Sequence, residues 1–389
     1  MTKKRNTLFR WLARFRQRKK IHEHIVDNPI LVSFLVLFAL VFLVVGWTLA
    51  KGLYDRTFAV DVLVEAHGML LDVFVFGVIV LYLNQIGDKH RQIESFRNEI
   101  DDLRGWCSEL AARKNRGNII RLARNRVKFI DLQDSCLQSM DFGSTKINLK
   151  GSIFLRANME NVVSHNSILD ECKFQEAMME GIDLSNCSAT NANFSFAKLK
   201  QSSLNSVNFS HAIFSGADLT DSEVDHTIFA HTLMDACKLS NSSVQHADFS
   251  NTDLHRSELI DCNLAGSRFN DAKLLSTNFE GTQLTDCNFS NADCTDANFR
   301  QANLRNVRFN NAILVGADFR HAIHYDETYL NAQGMNASKA IEYFVEDLSK
   351  CRTLYQAKFD EAVHEVIQHT HPDLLLTPKD LDIKLDIVT

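Results

Sequence analysis

The 389-residue chain reads as a β-solenoid coiled on four sides, preceded by a hairpin of apolar helices, and three observations carry that reading. From Leu149 to Phe319 a bulky apolar residue stands at every fifth position without a slip of register, apart from Ser164, Ala189 and Cys294. Two places earlier stands Ala, Ser, Thr, Cys or Val, with Ile182 the one larger exception from Phe154 onward. A period of five matches neither the 3.6 of a helix nor the 2.0 of a strand. The chain therefore turns a corner every five residues, and each unit buries its inward residues against the coils above and below.

The second observation is identity at an interval of twenty. Phe209, Phe229, Phe249, Phe269, Phe289 and Phe309 are all Phe, and Leu199, Leu219, Leu239 and Leu259 precede Phe279, Phe299 and Phe319. A third set holds Leu204, Val224, Val244, Leu264, Leu284 and Leu304. Four sides of five residues make one coil, like residues stack on like, and the small inward residue makes room for each large one. The third observation is that no proline occurs between Pro29 and Pro372. Backbone N–H groups that pair from coil to coil leave no place for one.

Taken in chain order, residues 1–28 form a basic start with nine Lys or Arg and no acid among the first twenty. Residues 29–87 form the hairpin. Ile30 to Ala50 is an uncharged apolar run of 21 residues, long enough to cross a hydrocarbon core and too long for the apolar region of a signal peptide. A second apolar stretch, Met69 to Leu83 and extensible to 66–86, contains one ionisable residue, Asp72. Asp55, Asp61 and Glu65 fill the expected loop between the spans, while Lys89, Arg91 and Arg97 follow the second span. Basic residues on both outer flanks put both termini and the repeat region in the cytoplasm. A carboxylate within a span is costly and marks an assembly or functional position by default. In an oligomer Asp72, with His67 above and Asn84 and Gln85 below, lines a polar path; in a simple anchor Asp72 lies in the outer third of the span and reaches water.

Residues 88–126 read as a helical linker. Ile93, Phe96, Ile100, Leu103, Cys107 and Leu110 alternate three and four apart, the seam of a short coiled coil that would make the chain a homo-oligomer, or the buried face of an amphipathic helix on the base of the rod. The solenoid itself covers 127–330. Leu132, Leu137 and Phe142 repeat the pattern in another register, which predicts a first coil joined through a small insertion near Ser144 to Ile147. Residues 331–389 form a C-terminal cap with helices over Ser338 to Leu348 and Glu361 to Gln368 and a terminal repeat strand, since a solenoid must blunt its open edges.

Runs such as Ala217-Asp218-Leu219, Ala247-Asp248-Phe249, Ala302-Asn303-Leu304 and Ala317-Asp318-Phe319 closely resemble the pentapeptide-repeat family. The resemblance implies a right-handed quadrilateral β-helix of about nine coils, on the order of 40 Å long at one strand spacing per coil. Ile100-Asp101-Asp102-Leu103-Arg104-Gly105-Trp106, Gly117 to Leu122 and Thr353 to Asp360 are similar to the linker and closing segments of membrane-anchored bacterial members of that family.

Charge is unevenly spread over a formal net of −6: Phe129 to Ala322 holds 14 basic and 24 acidic residues, many of the acids being expected in turns. Of the nine cysteines, Cys172, Cys187, Cys237, Cys262 and Cys287 take the small inward site and Cys294 a large one, which predicts buried free thiols in a reducing compartment. No phosphate loop, Cys-x-x-Cys pair or His-Glu-x-x-His run is present, so no cofactor, metal or catalysis is expected. His211, His226, His231, His246 and His255 fall outside the inward positions and read as solvated groups, the alternative being a ligand face with Asp225 and Asp235. Three functions stay open. One is a membrane-anchored, non-enzymatic scaffold presenting an acidic rod to a cytoplasmic protein or ligand. Another is an oligomeric membrane effector or channel of an anti-phage defence system, gated by the rod. The third, implied by soluble family members that act on gyrase, is a DNA mimic; the acidic rod is compatible with it, tethering at a membrane argues against it because a mimic must reach the nucleoid, and direct nucleic-acid binding is not expected.

Overall fold

The computed structural model describes residues 56–143, 146–324 and 336–378, with positions 39, 42, 43 and 46 before them. The basic start, nearly all of the first apolar run and Asp55 lie outside the described residues. The chain divides into two compact units, residues 1–94 and 95–389.

Helix α1, Arg56–Asp102, has 47 residues, those up to Glu94 in the first unit. Its part from Gly68 onward is long and apolar enough to cross a membrane. Asp61 and Glu65 lie inside α1, which corrects the expectation of a loop there: no proline interrupts Arg56 to Glu65, so the helix simply starts earlier.

In the second unit α1 ends at Asp102, Gly105 adopts φ +67°, and helix α2, Glu109–Arg124, begins at the N-cap Ser108, whose hydroxyl accepts from the amide of Ala111. The expected seam is thereby broken, which corrects it as one continuous helix. Ile100 and Leu103 are buried, whereas Leu110 stands on a different helix and is exposed. Asn118 and Lys114 of α2 hold Glu99 at 2.9 and 3.3 Å, and Ile119 lines a small apolar cavity with Leu137, Phe142 and Leu149 of the first coils.

From Asp131 onward the chain forms a solenoid of parallel single-residue bridges. Bridged residues are five apart along the chain and twenty apart between coils, as in Ile213↔Leu233, Asp218↔Lys238, Glu223↔Ser243 and Ile228↔Asp248, which define faces A, B, C and D. Each side pairs through one residue only, so no extended strand forms among the described residues; the terminal repeat expected as a strand is likewise a pair of bridges. The amide of Phe209 donates to Ile228 O at 2.8 Å and that of Ile228 to Val207 O at 2.9 Å, and the pattern repeats along the rod. In the first coil the interval is 22, as in Asp131↔Ile153 and Asp141↔Val163, and returns to 20 at Asn148↔Ile168. Two extra residues therefore enter between Asp141 and Asn148.

The six phenylalanines from Phe209 to Phe309 form one buried column with ring centroids 4.7–5.4 Å apart. Ring spacing is set by coil spacing, which is why identical residues recur at twenty. Hydroxyls at the small inward site are satisfied by the coil below: Ser222, Ser242 and Ser267 donate to the carbonyls of Leu199, Leu219 and Val244 at 2.8–2.9 Å. Cysteine does the same, Cys262 Sγ to Leu239 O at 3.0 Å, and burial pushes that thiol up to about 12. Each corner's second residue has φ near +57°, a conformation that Asn and Asp tolerate best after Gly. Asp and Asn at bridged positions brace the corners; Asp248 Oδ1 accepts from the amide and hydroxyl of Ser250 at 3.0 and 2.6 Å.

The far end departs from the simple period. Ile313↔Thr353 and Asp318↔Lys358 are forty apart, so the chain leaves the rod after His324 and returns one coil higher. Helix α3, Ala337–Leu348, belongs to this excursion, with Phe344 beside Phe319 and stacked on His324. On return Phe359 stacks on Phe319 at 5.2 Å, and helix α4, Glu361–Thr370, and a 3₁₀ turn, Pro372–Leu375, follow, with Leu374 O accepting from the amide of Leu354 at 2.8 Å.

Replacing Phe249, stacked between Phe229 and Phe269, by Ala should destabilise the rod by about 3–5 kcal/mol through lost burial and a cavity. Ser250→Ala removes one half-exposed hydrogen bond and should cost no more than about 1 kcal/mol. Chemical denaturation of the two variants checks the pair; equal midpoints would reverse the assignment of inside and outside.

Candidate protein-binding face

The bridged residue of each side points outward, and on this rod most outward positions carry Asp, Asn, Ser, Lys or Glu. A cluster in the middle departs from that rule. Ile213 and Leu233 are bridge partners on face A, and Ile228 stands on the adjoining face D. Leu233 is 49% exposed and Ile228 39%, so both present apolar surface to solvent. The corners that bound these faces carry imidazoles. His211 and His231 stack at 5.0 Å on the corner between D and A, and His226 and His246 stack at 5.2 Å on the corner between C and D. On the remaining edge of face A, Phe196 is 64% exposed and its ring lies over Gly216, where a Cβ would come within 2.6 Å of Cε1. Only glycine leaves room for that ring, and it also adopts φ +66° there without strain.

The result is a band across two faces with an aliphatic centre, edged by two imidazole stacks and one aromatic ring. Three carboxylates stand beside it. Asp248 and Asp253 occupy the next coil up on D and A, where Arg268 and Lys273 face them at 2.7 and 3.8 Å, and Asp235 at the adjacent corner accepts from the Ser215 hydroxyl. The histidines thus sit on the surface as stacked pairs at left-handed corners. Among the described residues no group of three His, Cys, Asp or Glu could hold a metal ion. Asp225, the neighbour weighed for a ligand face, is engaged by Ser243 Oγ and the Gln245 amide at 2.8 and 2.7 Å.

The polar path is expected where the second spans of several subunits meet; along α1 of one chain, at about 100° per residue, positions 67 and 85 share one side, with 72 and 84 about 140° and 260° around from them. Asp72, Asn84 and Gln85 are all exposed along α1. The inward cysteines carry no nucleophile, because burial pushes Cys172 and Cys287 up to about 12 and raises Cys237 and Cys294 as well. Cys107 and Cys136 are joined as a disulfide, whereas the six inward cysteines expected as buried free thiols are free. The inward rule does not govern these two: Cys107 lies before the rod, and Cys136 is a bridged, outward residue of the first coil.

A second concavity lies near the end of face B, an open cleft of about 550 Å³ bordered by Glu280, Asp296, Asn298, Arg300, Asp318 and Lys358. Its charges are largely engaged with one another. Asn298 donates to Glu280 at 3.1 Å and Arg320 to Asp318 at 2.6 Å.

The repeat architecture matches known families. Residues 202–279 and 253–333 match the family model "Pentapeptide repeat region", and residues 167–205 match "Pentapeptide repeats (8 copies)". Residues 167–333 are a pentapeptide-repeat region. Among solved structures it is similar to HetL from the cyanobacterium Nostoc sp. strain PCC 7120, a pentapeptide-repeat protein involved in heterocyst differentiation regulation, at 23% identity over 53% of this chain and 93% of HetL, with a TM-score of 0.42. It is also similar to full-length QnrB1, a plasmid-mediated fluoroquinolone resistance protein, at 14% identity over 60% of this chain and 95% of that one, with a TM-score of 0.28. A pentapeptide-repeat protein of the Arabidopsis thaliana thylakoid lumen matches at 19% identity over 30% of this chain and 81% of its own, with a TM-score of 0.20. No curated protein matches the sequence.

The sequence reading placed these histidines on the surface but missed the apolar band. The signal was available: Ile213, Ile228 and Leu233 occupy outward positions of the five-residue register, where the neighbouring coils have Asn193, Asn208, Asp248 and Asp253.

The Arg320 hydrogen bond holds the Asp318 carboxyl below its ordinary range, against the opposing effect of burial. Such a carboxylate contributes stability above its unfolded pKa of about 3.9 and loses that contribution as pH falls through the lower folded value. Arg320→Met should therefore start less stable at about pH 5 and lose less on further acidification than the parent chain. Melting temperatures across the acid range check this; parallel curves would refute it.

Proposed function

We propose that this protein is a non-enzymatic binding scaffold held at a membrane, presenting the band around Ile213, Ile228 and Leu233 to a protein partner. The observation that carries the reading is the aliphatic cluster of Ile213, Ile228 and Leu233 with aromatic and imidazole edges midway along the rod; apolar outward residues also occur nearer its ends, at Ile153, Val163, Ile168 and Met178 and at Ile313 and Ile323. Exposed clusters of this composition suit protein contact, where a few anchor residues supply most of the binding energy. The neighbouring acids favour a partner whose apolar anchors are flanked by basic residues. A rod whose coils are mutually buried is a rigid platform, so little conformational cost attends binding.

Membrane attachment is proposed on α1 from Gly68 and on the apolar run Ile30 to Ala50, with the basic start and Lys89, Arg91 and Arg97 keeping both ends in the cytoplasm. Helices α2 and α3, and the segments around Leu354 and α4, serve as caps that cover the two ends of the coil.

Leu233→Asp combined with Ile228→Asp should leave the melting temperature of the full chain unchanged, because both side chains point outward. Quantitative affinity capture from native membranes should lose its enriched proteins with this double variant and keep them with Ser203→Asp on face C. Equal recovery with both variants would remove the band as the binding face.

Asp72→Leu separates an anchor from a pore. In an anchor the change removes a carboxylate that costs about 2.5–3.5 kcal/mol at mid-span and less near the interface, so insertion should be unchanged or improved and partner capture retained. Loss of ion conductance in liposomes at normal membrane level would instead assign the chain to the channel class.

A further inference from the structure

Eight of the nine cysteines are buried, and one is not. Cys107 stands exposed in the short connection between α1 and α2 and is bonded to Cys136, with a Cα–Cα distance of 5.2 Å. Cys136 belongs to the first coil, bridged to Asn158 in the outward register, yet its exposure is only 3%. An outward residue of a solenoid is buried only when something lies on it, and here the covering segment is the α1–α2 connection. The same segment is held by three further contacts. Arg104 donates to Gln133 O at 2.7 Å and pairs with Asp131 at 3.2 Å, and the Gly105 amide donates to Asp134 O at 3.0 Å. These contacts hold the connection against the first coil, with the two Cα atoms within the range a disulfide requires.

We propose that Cys107–Cys136 is a redox modification site, a clasp opened and closed by thiol–disulfide exchange with a small thiol of the glutathione class. In opening, the thiolate of one glutathione attacks the exposed Cys107 Sγ. The protein S–S bond breaks, its electron pair goes to Cys136 Sγ, and that sulphur takes a proton. A second glutathione thiolate attacks the glutathione sulphur of the mixed disulfide, releasing glutathione disulfide and the Cys107 thiolate. Two electrons and two protons pass from two glutathiones to the protein; closing is the reverse, with glutathione disulfide as oxidant. Attack falls on Cys107 because Cys136 lies beneath the connection. The seven remaining cysteines stay out of the exchange, being buried within the protein, with Cys172, Cys262, Cys287 and Cys351 pushed up to about 12. In a reducing compartment the open form is the resting state, and oxidation draws the connection onto the first coil.

The test uses the full-length chain in detergent, equilibrated in glutathione buffers from fully reduced to fully oxidised, quenched by alkylation and mapped by peptide mass. The expected result is a single transition in which the Cys107 and Cys136 peptides pass from doubly alkylated to disulfide-linked, while the other cysteines stay unlabelled in the native state. Cys136→Ser should leave Cys107 glutathionylated under oxidising buffers, and hydrogen exchange of residues 103–108 should slow on oxidation in the parent chain only. Alkylation of both cysteines even in fully oxidised buffer would overturn the proposal. So would a bond that persists in fully reduced glutathione, which would make it a fixed structural cross-link.

Discussion

The constraint on which the structure depends is that each side of each coil must pair its backbone with the coil twenty residues away. Two amides and one carbonyl per side engage the coil above, and one amide and two carbonyls the coil below, at 2.6–3.3 Å throughout the rod. A one-residue slip would turn every inward side chain outward, so the register is fixed along the whole length at once. The same pairing explains why proline is absent from the rod and why buried hydroxyls can be tolerated. Ser222, Thr227 and Ser242 donate to carbonyls that the coil geometry places beside them, at 2.8–2.9 Å. A buried hydroxyl without such a carbonyl would be costly.

Because the inward positions are fixed, the outward ones are free to vary. Four flat faces offer no enclosed pocket, and their chemistry is that of the column of residues each carries. The band formed by Ile213, Ile228, Leu233 and the stacked histidines is built without any irregularity of backbone; only the side chains differ from neighbouring coils. It makes structural demands at Gly216 and Gly266, where the rings of Phe196 and His246 from the coil below occupy the space of a side chain. Asp261 and Asp296 rest over Gly281 and Gly316 in the same manner. Glycine at a corner thus tells where a side chain of the previous coil lies down along the rod.

The ends obey different rules, since the first and last coils have a neighbour on one side only. At the start the coil interval lengthens to 22, Ile119 of α2 faces the first core residues, and a disulfide adds a covalent tie. At the far end an excursion of twenty extra residues places Phe344 against Phe319 before the chain resumes its register at Thr353. The return is exact enough in side-chain terms that Phe359 continues the column of Phe279, Phe299 and Phe319. An insertion outside the pairing register is tolerated because it leaves the stacked columns unbroken.

The sequence alone determined the solenoid, its four sides, the Phe209 to Phe309 column and the inward burial of Cys172, Cys187, Cys237, Cys262, Cys287 and Cys294, because all of these follow from a strict local period. It also indicated the first coil at Leu132, Leu137 and Phe142 and the insertion after it. Only the tertiary structure decided what the period does not encode. The seam from Ile93 to Leu110 breaks at Asp102 because the chain turns at Gly105 to dock on the first coil. The pairing of Cys107 with Cys136 follows from that docking, at a separation of 29 residues that no repeat predicts. The apolar band likewise depends on neighbours five and twenty residues apart meeting around a corner. Inward positions are set by a period legible in one dimension, whereas docked connections and surface clusters depend on which residues the coil brings side by side.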